Sequence, residues 1–235
     1  SGKADMEESI KFGIVGSIKH PQIDYKAVNY SDAPWTDNPW QAISYVSCHD
    51  NHTIYDKLKI SCPDTSEEEI VAMDKLGNAI VMTSQGTAFL HAGAEMLRTK
   101  NGEYNSYNLP DAINQIDWNW KVKYSEVVDF YKNLIAMRKA HPAFRMTSGE
   151  EVRKNLEFKK VENGLLSYEI KNNANGDDWK SILVIYNARK TGINYELEEK
   201  WQLAVSGNTF DLAGNKSVTK SVNVPPISMT ILFKE

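Results

Sequence analysis

Three things are scarce in this sequence, and each scarcity closes off a class of protein. There are two cysteines, Cys48 and Cys62, too few for a disulfide framework. Cys48 falls in an apolar run, where it reads as a small core residue. Cys62 precedes Pro63 in a loop, so a bridge between the two is open but not required. No stretch reaches the roughly 18 consecutive apolar residues that a membrane span needs. The polar start, Ser1-Gly2-Lys3-Ala4-Asp5, shows no secretory signal. Excess positive charge is missing too: 27 Lys and Arg stand against 31 Asp and Glu, a formal charge of −4. A nucleic-acid partner would want a clustered basic surface, so that class is disfavoured. Internal repeats and low-complexity tracts are also absent.

What remains is the composition of a soluble globular protein, with 41% hydrophobic and 25% charged residues. At 235 residues the chain has room for one large domain or two small ones. Six Trp and eleven Tyr stand out. Their flat apolar faces with polar rims suit stacking on sugar rings, although cores and interfaces use aromatics as well. The chain is organised around Ile43-Ser44-Tyr45-Val46-Ser47-Cys48-His49-Asp50-Asn51-His52-Thr53. Its first residues, rich in β-branched and aromatic side chains, predict a buried strand. Four polar groups, His49 to His52, follow at once. An ionisable His-Asp pair at the C-terminal end of a strand is where α/β barrels keep their chemistry. The plainer reading is a polar strand end capped by its own backbone.

Taken in order, Asp5 is placed to cap a helix running to about Ser17, with Ile10, Ile14, Val15 and Ile18 on its apolar side. His20-Pro21 ends it. Residues 22–41, with Pro34, Pro39, Trp35 and Trp40, read as a long ordered loop. After the central strand comes a polar connection, Thr53 to Thr65. Ser66-Glu67-Glu68-Glu69 is a capping box opening a helix to about Ser84, and Gly86 is placed to terminate it. Thr87 to Gly93 predicts a second short strand. Strand, helix, strand in this order is a βαβ unit, which predicts parallel pairing. A polar loop, Glu95 to Lys121, follows, and then a helix over about Ser125–Ala140 stopped by His141-Pro142.

Beyond Phe144 the pattern changes to short alternating runs separated by turn signals such as Asn163-Gly164 and Gly207-Asn208. Strands are predicted at 156–161, 165–171, 181–186, 193–196, 202–205, 217–224 and 227–233, an antiparallel β-sandwich. The first part is physically odd. Two parallel strands with three helices cannot cover both faces of a sheet, and parallel sheets need both covered. Either strands from elsewhere join them, or this chain is a piece of something larger.

Six ordered blocks carry a resemblance. They are Tyr45–Thr53, Asp56-Lys57-Leu58, Thr83-Ser84-Gln85-Gly86, Phe89-Leu90-His91-Ala92-Gly93, Asn105-Ser106-Tyr107-Asn108-Leu109-Pro110-Asp111 and Ile113-Asn114-Gln115-Ile116-Asp117-Trp118. Together, over about residues 7–145, they resemble type I pullulanases, the α-1,6-debranching members of the α-amylase superfamily. The resemblance implies an α/β plus all-β chain. Residues 1–145 would be the last strands and helices of a (β/α)8 TIM barrel, from about its sixth helix to its eighth. Residues 146–235 would be a C-terminal antiparallel β-sandwich domain. It implies retaining hydrolysis of α-1,6 branch linkages in pullulan or related α-glucans, with a carboxylate nucleophile and an acid that protonates the leaving oxygen. Those two residues belong to strands four and five, and neither of their blocks is present, so the chain alone is expected to be inactive.

By the same resemblance, Asp50 matches the carboxylate that stabilises the oxocarbenium-like transition state, and His49 contacts hydroxyls of the same sugar. Asn51, Tyr107, Asn108 and Asp111 are implied as substrate contacts; a self-bonded polar loop is the plainer account of the last three. Many relatives have Glu after the glycine of the strand-eight block, where this chain has Ala94 followed by Glu95, so no role passes to that glutamate. The resemblance implies no cofactor in this segment and no metal. The expected partners are an α-glucan and either an upstream part of the same polypeptide, supplying barrel strands one to six, or a second copy. A polysaccharide-degrading role fits secretion or the cell envelope better than the cytoplasm. Other α-amylase-superfamily α-glucan hydrolases remain open as an alternative. Two readings from other classes stay open as well. One is a metal-dependent hydrolase using His49, Asp50, His52 and His91, weakened because adjacent strand residues point to opposite faces. The other is a non-catalytic glucan-binding module built on the β-sandwich.

Overall fold

A computed structural model describes residues 5–235; the polar start Ser1–Ala4 lies outside the described residues. Helix α1 (Glu7–Ile14) buries Phe12 and Ile14, and Val15 and Ile18 behind it are fully enclosed. Asp5 does not cap it. Met6 is the N-cap, without a side-chain bond, and Asp5 sits just outside with left-handed φ of 61°. The helix also stops three residues before Ser17, because Gly16 turns the chain at φ +73° against Pro39. A Cβ on Gly16 would lie 2.6 Å from Pro39 Cβ, so only glycine permits this contact. Residues 22–41 are irregular apart from two single-turn 3-10 helices, as expected of a long ordered loop.

The two predicted parallel strands are present but short. β1 (Ile43–Ser44) pairs in parallel with β2 (Thr87–Ala88), Ile43 opposite Thr87 and Ser44 opposite Ala88. The sequence predicts two longer buried strands, and the structure corrects this. Among the described residues no other strand joins this pair, so the ladder ends after two residues. Ile43, Tyr45 and Phe89 stay 63%, 54% and 42% exposed. Strand length is set by neighbours as much as by composition.

The connection from Thr53 to Thr65 is not merely polar. It holds α2 (Ile54–Ser61), capped by Thr53, whose Oγ1 accepts the Asp56 N–H at 3.1 Å. Helix α3 (Glu67–Thr83) starts at Ser66, whose hydroxyl accepts the Glu69 N–H at 3.3 Å. The Glu69 carboxylate reaches Lys190 at 2.7 Å. The loop from Glu95 to Lys121 contains two short helices, α4 (Asp111–Asn114) and α5 (Asn119–Lys123). Helix α6 (Ser125–Ala140) has the predicted bounds. A further helix, α7 (Gly149–Asn155), was not anticipated; Ser148 caps it through the Glu151 N–H.

The second half is all antiparallel: β3 (Leu156–Glu162), β4 (Leu165–Ile170), β5 (Ser181–Asn187), β6 (Ile193–Glu196), β7 (Trp201–Ser206), β8 (Thr209–Phe210), β9 (Ser217–Val218), β10 (Ser221–Val224) and β11 (Ser228–Lys234). One sheet runs β3-β4-β5-β11-β7-β8, with β9 also on β7. The predicted strand over 217–224 divides at Lys220, which takes φ 66°; β9 stays with β7, and β10 crosses to pair with β6. That β6–β10 pair covers one face of the large sheet around Leu165, Leu183, Ile185, Trp201 and Leu232. The other face packs on α3 and α6. A single apolar cluster therefore runs from Phe12 through Leu134 to Phe233, joining helices and sheet.

Several polar groups buried in this junction bond across it, while Asp74 Oδ2 has no partner. Tyr168 donates from its hydroxyl to the Thr83 carbonyl at 2.7 Å, and Tyr186 meets the Thr83 hydroxyl. Arg138 on α6 donates to the carbonyls of Met82, Ser84, Gly86 and Phe144 at 2.8–3.0 Å, closing the C-terminal end of α3. Burial lowers its guanidinium to about 10, still charged at neutral pH. Arg138→Met keeps the stem but orphans those carbonyls, and should destabilise the chain by about 3 kcal/mol or more. Urea unfolding reads this directly, and an unchanged midpoint would contradict the role given to Arg138. No helix among the described residues is long and apolar enough to cross a membrane.

Candidate functional site

The chain leaving β1 does not continue as a strand. It turns, with Ser47 buried, His49, Asp50 and Asn51 exposed, and Asn51 in left-handed conformation at φ 62°. Asparagine tolerates that region better than most residues. Thr53 is then captured as the cap of α2. Because this is a turn and not an extended strand, the side chains of His49 and Asp50 converge. His49 Nε2 lies 3.5 Å from Asp50 Oδ2, with the two side chains 83% and 73% exposed. The strand argument against convergence therefore fails for physical reasons.

The convergence also reshapes the metal alternative. Among the described residues, the one group of three possible ligand atoms within 4.8 Å is Cys48, His49 and Asp50. His52 and His91, which that alternative needs, are not in it. His52 instead lies beside Tyr104, ring centroids 6.0 Å apart. His91 is half-buried; burial, with Arg98, Lys100 and His49 adding to it, holds its pKa down to about 4.

The chain leaving β2 is locked by its own backbone and by Arg98. Gly93 turns at φ 93° and Leu97 at φ 59°. Glu95 folds back to accept the Gly93 N–H at 3.0 Å. Arg98 donates to the Ala92 carbonyl at 3.2 Å, approaches His91 Nε2 at 3.4 Å, and donates to the carbonyl of Asn114. Asn114 at the end of α4 then donates to the carbonyls of Ser106 and Leu109 at 2.7 and 2.9 Å. Asn114 thus supports the loop, and Tyr107, Asn108 and Asp111 are left exposed. Tyr107 is 81% exposed.

The two loops are joined through Lys100, for which the sequence gives no marker. Lys100 is 4% exposed, and its ammonium donates to the His49 carbonyl at 3.0 Å and to Ser106 Oγ at 2.7 Å. Its backbone N–H donates to Asp56 Oδ2 at 2.7 Å, and the Thr99 hydroxyl donates to Asp56 Oδ1. Burial lowers the Lys100 pKa, with Arg98 pushing the same way and Asp50, Asp56 and Cys48 opposing. A lone lysine in a polar loop ordinarily reads as a solvated charge. Asp56 had a sequence signal, the Thr53-x-x-Asp56 spacing of a helix start.

Chemically, the surface offers an exposed carboxylate and imidazole side by side, flanked by an aromatic and amide loop and held from beneath by the buried Lys100 and the half-buried Arg98. That suits hydrogen bonding to hydroxyl-rich ligands and stabilisation of positive charge near Asp50.

Residues 152–209 match the family described as the pullulanase all-beta domain. A pullulanase of Bacillus subtilis (strain 168) is 35% identical over 234 residues, 99% of this chain and 31% of that protein. The chain thus spans about a third of the length of that curated relative. The crystal structure of pullulanase type I from Bacillus subtilis str. 168 complexed with maltose superposes with a TM-score of 0.91 at 32% identity, covering 99% of this chain and 32% of that one. Pullulanase from Paenibacillus barengoltzii, in complex with maltohexaose and alpha-cyclodextrin, gives a TM-score of 0.84 at 35% identity, covering 97% of this chain and 34% of that one.

Proposed function

The chain belongs to the pullulanase family, and on that premise we propose that it serves a retaining hydrolase of α-1,6-glucosidic branch linkages in pullulan or related α-glucans. Residues 1–145 form the end of the catalytic (β/α)8 barrel, with β1 and β2 as its seventh and eighth strands and α6 closing the ring. Residues 146–235 form the terminal β-sandwich domain. The remaining barrel strands, from the same polypeptide or from a second copy, cover the exposed Ile43, Tyr45 and Phe89.

The observation that supports the reading is that the segments leaving the C-terminal ends of the two parallel strands carry His49-Asp50 and, beyond the 3-10 turn at Ala94–Met96, Tyr107 to Asp111, and that Lys100 bonds to both. Asp50 stabilises the positive charge that develops at the anomeric carbon, and His49 donates to hydroxyls of the same sugar. Asn51, Tyr107, Asn108 and Asp111 contact the substrate around it. No metal or cofactor is required for these roles. The nucleophile and the acid that protonates the leaving oxygen are supplied by residues outside this sequence.

Reducing-end release from pullulan and from linear amylose tests this. The longest polypeptide in which this chain is encoded should hydrolyse pullulan in preference to amylose. The 235-residue chain alone should stay far below the roughly 1 per second at which enzymes commonly turn over. Fast turnover by the chain alone would place all of the machinery within it and overturn the division proposed here.

A further inference from the structure

We infer that Lys100 is a positioning residue for the glucan, setting the distance between the His49-Asp50-Asn51 turn and the Tyr107–Asp111 loop. The inference rests on the glucan-site reading above. Every residue assigned to that site lies on one of two loops separated by more than forty positions in sequence, and the structure links them through a single buried ammonium. Its two acceptors, the His49 carbonyl and Ser106 Oγ, lie one on each loop, at 3.0 and 2.7 Å. Both are next to residues with proposed substrate contacts: Asp50 follows His49, and Tyr107 follows Ser106.

The lysine is itself held at its base. Asp56, 4% exposed on α2, accepts from the Lys100 N–H and from the Thr99 hydroxyl. The stem therefore starts from a fixed backbone and ends between two fixed acceptors. Taking an ammonium out of water is costly unless hydrogen bonds compensate. A surface loop seeking only solubility would leave this lysine in solvent. Its burial makes sense where the separation of the loops must be kept. Groups that touch substrate need placement to a fraction of an ångström, and a misplacement of about 1 Å can cost about 10²-fold in rate.

The test uses the longest polypeptide in which this chain is encoded. Lys100→Met keeps the stem and removes both cross-loop bonds. Amide hydrogen exchange should speed up together in residues 47–52 and 104–110, with α3 and α6 unchanged. On pullulan, kcat/KM should fall about 10- to 100-fold. Ser106→Ala, which spares the bond to His49, should give a smaller fall, and it carries the test if Lys100→Met does not fold. The double variant with Tyr107→Ala should lose less than the product of the single losses, because a displaced loop already forfeits Tyr107. A kcat/KM within twofold of the parent, or exchange that changes in neither loop, overturns the role of Lys100. Asp50→Asn run in parallel separates the two claims. Full activity there overturns the glucan-site reading and this role with it. A crippled Asp50→Asn beside an unimpaired Lys100→Met overturns the brace alone.

Discussion

In the longest polypeptide carrying this chain, replacing Asp50 by asparagine should lower kcat on pullulan by about 10²-fold or more while leaving the fold intact. The substitution keeps the shape and removes one negative charge. In retaining hydrolysis, positive charge accumulates at the anomeric centre only as the leaving group departs, so an ionised carboxylate beside it acts on the transition state more than on the bound ground state. One such preorganised contact is worth about 2.7–4 kcal/mol. The fold does not need the charge. The Asp50 side chain is 73% exposed and its one ion pair, with His49, is equally open to solvent, where such pairs contribute little. Steady-state kinetics with urea unfolding on the same preparation separates the two effects. Parent-like kcat would make Asp50 a structural residue.

A second large effect is expected from Asp74, on the face of α3 toward α6. Its carboxyl is fully buried; Tyr131 donates to Oδ1 at 2.8 Å and Asn78 donates to its backbone carbonyl at 3.1 Å, while Oδ2 has no partner. Burial raises its pKa to about 7, against the pull of Tyr131, Asn78 and Lys75. The unfolded chain gives up this proton near 3.8 and the folded chain near 7. The stability that the protonated form contributes is therefore complete below the lower value and lost as pH rises to the higher one. The amount is on the order of 4 kcal/mol. Asp74→Asn is uncharged throughout, so its stability relative to the parent should rise by that amount between about pH 4 and pH 8. His91, held low at about 4, acts in the opposite sense, weakening the fold as pH falls from about 6.5. It is common to both chains and cancels in the difference. A parent-variant difference that stays constant with pH would contradict the buried, proton-holding carboxyl.

These two residues mark what a sequence can disclose. Helices α3 and α6 were legible because apolar spacing, a serine cap and a His-Pro stop all agreed. The long antiparallel strands were legible because alternation and Gly turns agreed. β1 and β2 are shorter than the sequence predicts because the apolar run around Tyr45 describes a strand flanked by others, and the described residues supply only one neighbour. Helix α2 was hidden by its polar surface, although Thr53 and Asp56 carried the start signal. Asp50 stood out through its neighbours in an ordered block. Lys100 and Arg98 did not, and Asn114, though inside a block, showed no role there, because what these residues do depends on contacts between segments that only folding brings together. The convergence of His49 with Asp50 has a local cause: the strand ends at Ser44, so alternation of faces does not extend to residues 49 and 50.

The central claim is that Asp50 and His49 hold one glucosyl unit. A crystal structure of the longest polypeptide carrying this chain, grown with a maltooligosaccharide, tests it most directly. The account predicts a sugar ring with hydroxyls within about 2.5–3.2 Å of both the Asp50 carboxylate and a His49 ring nitrogen, and the Tyr107 loop alongside. A well-ordered oligosaccharide bound elsewhere, with Asp50 and His49 facing only solvent, would contradict it.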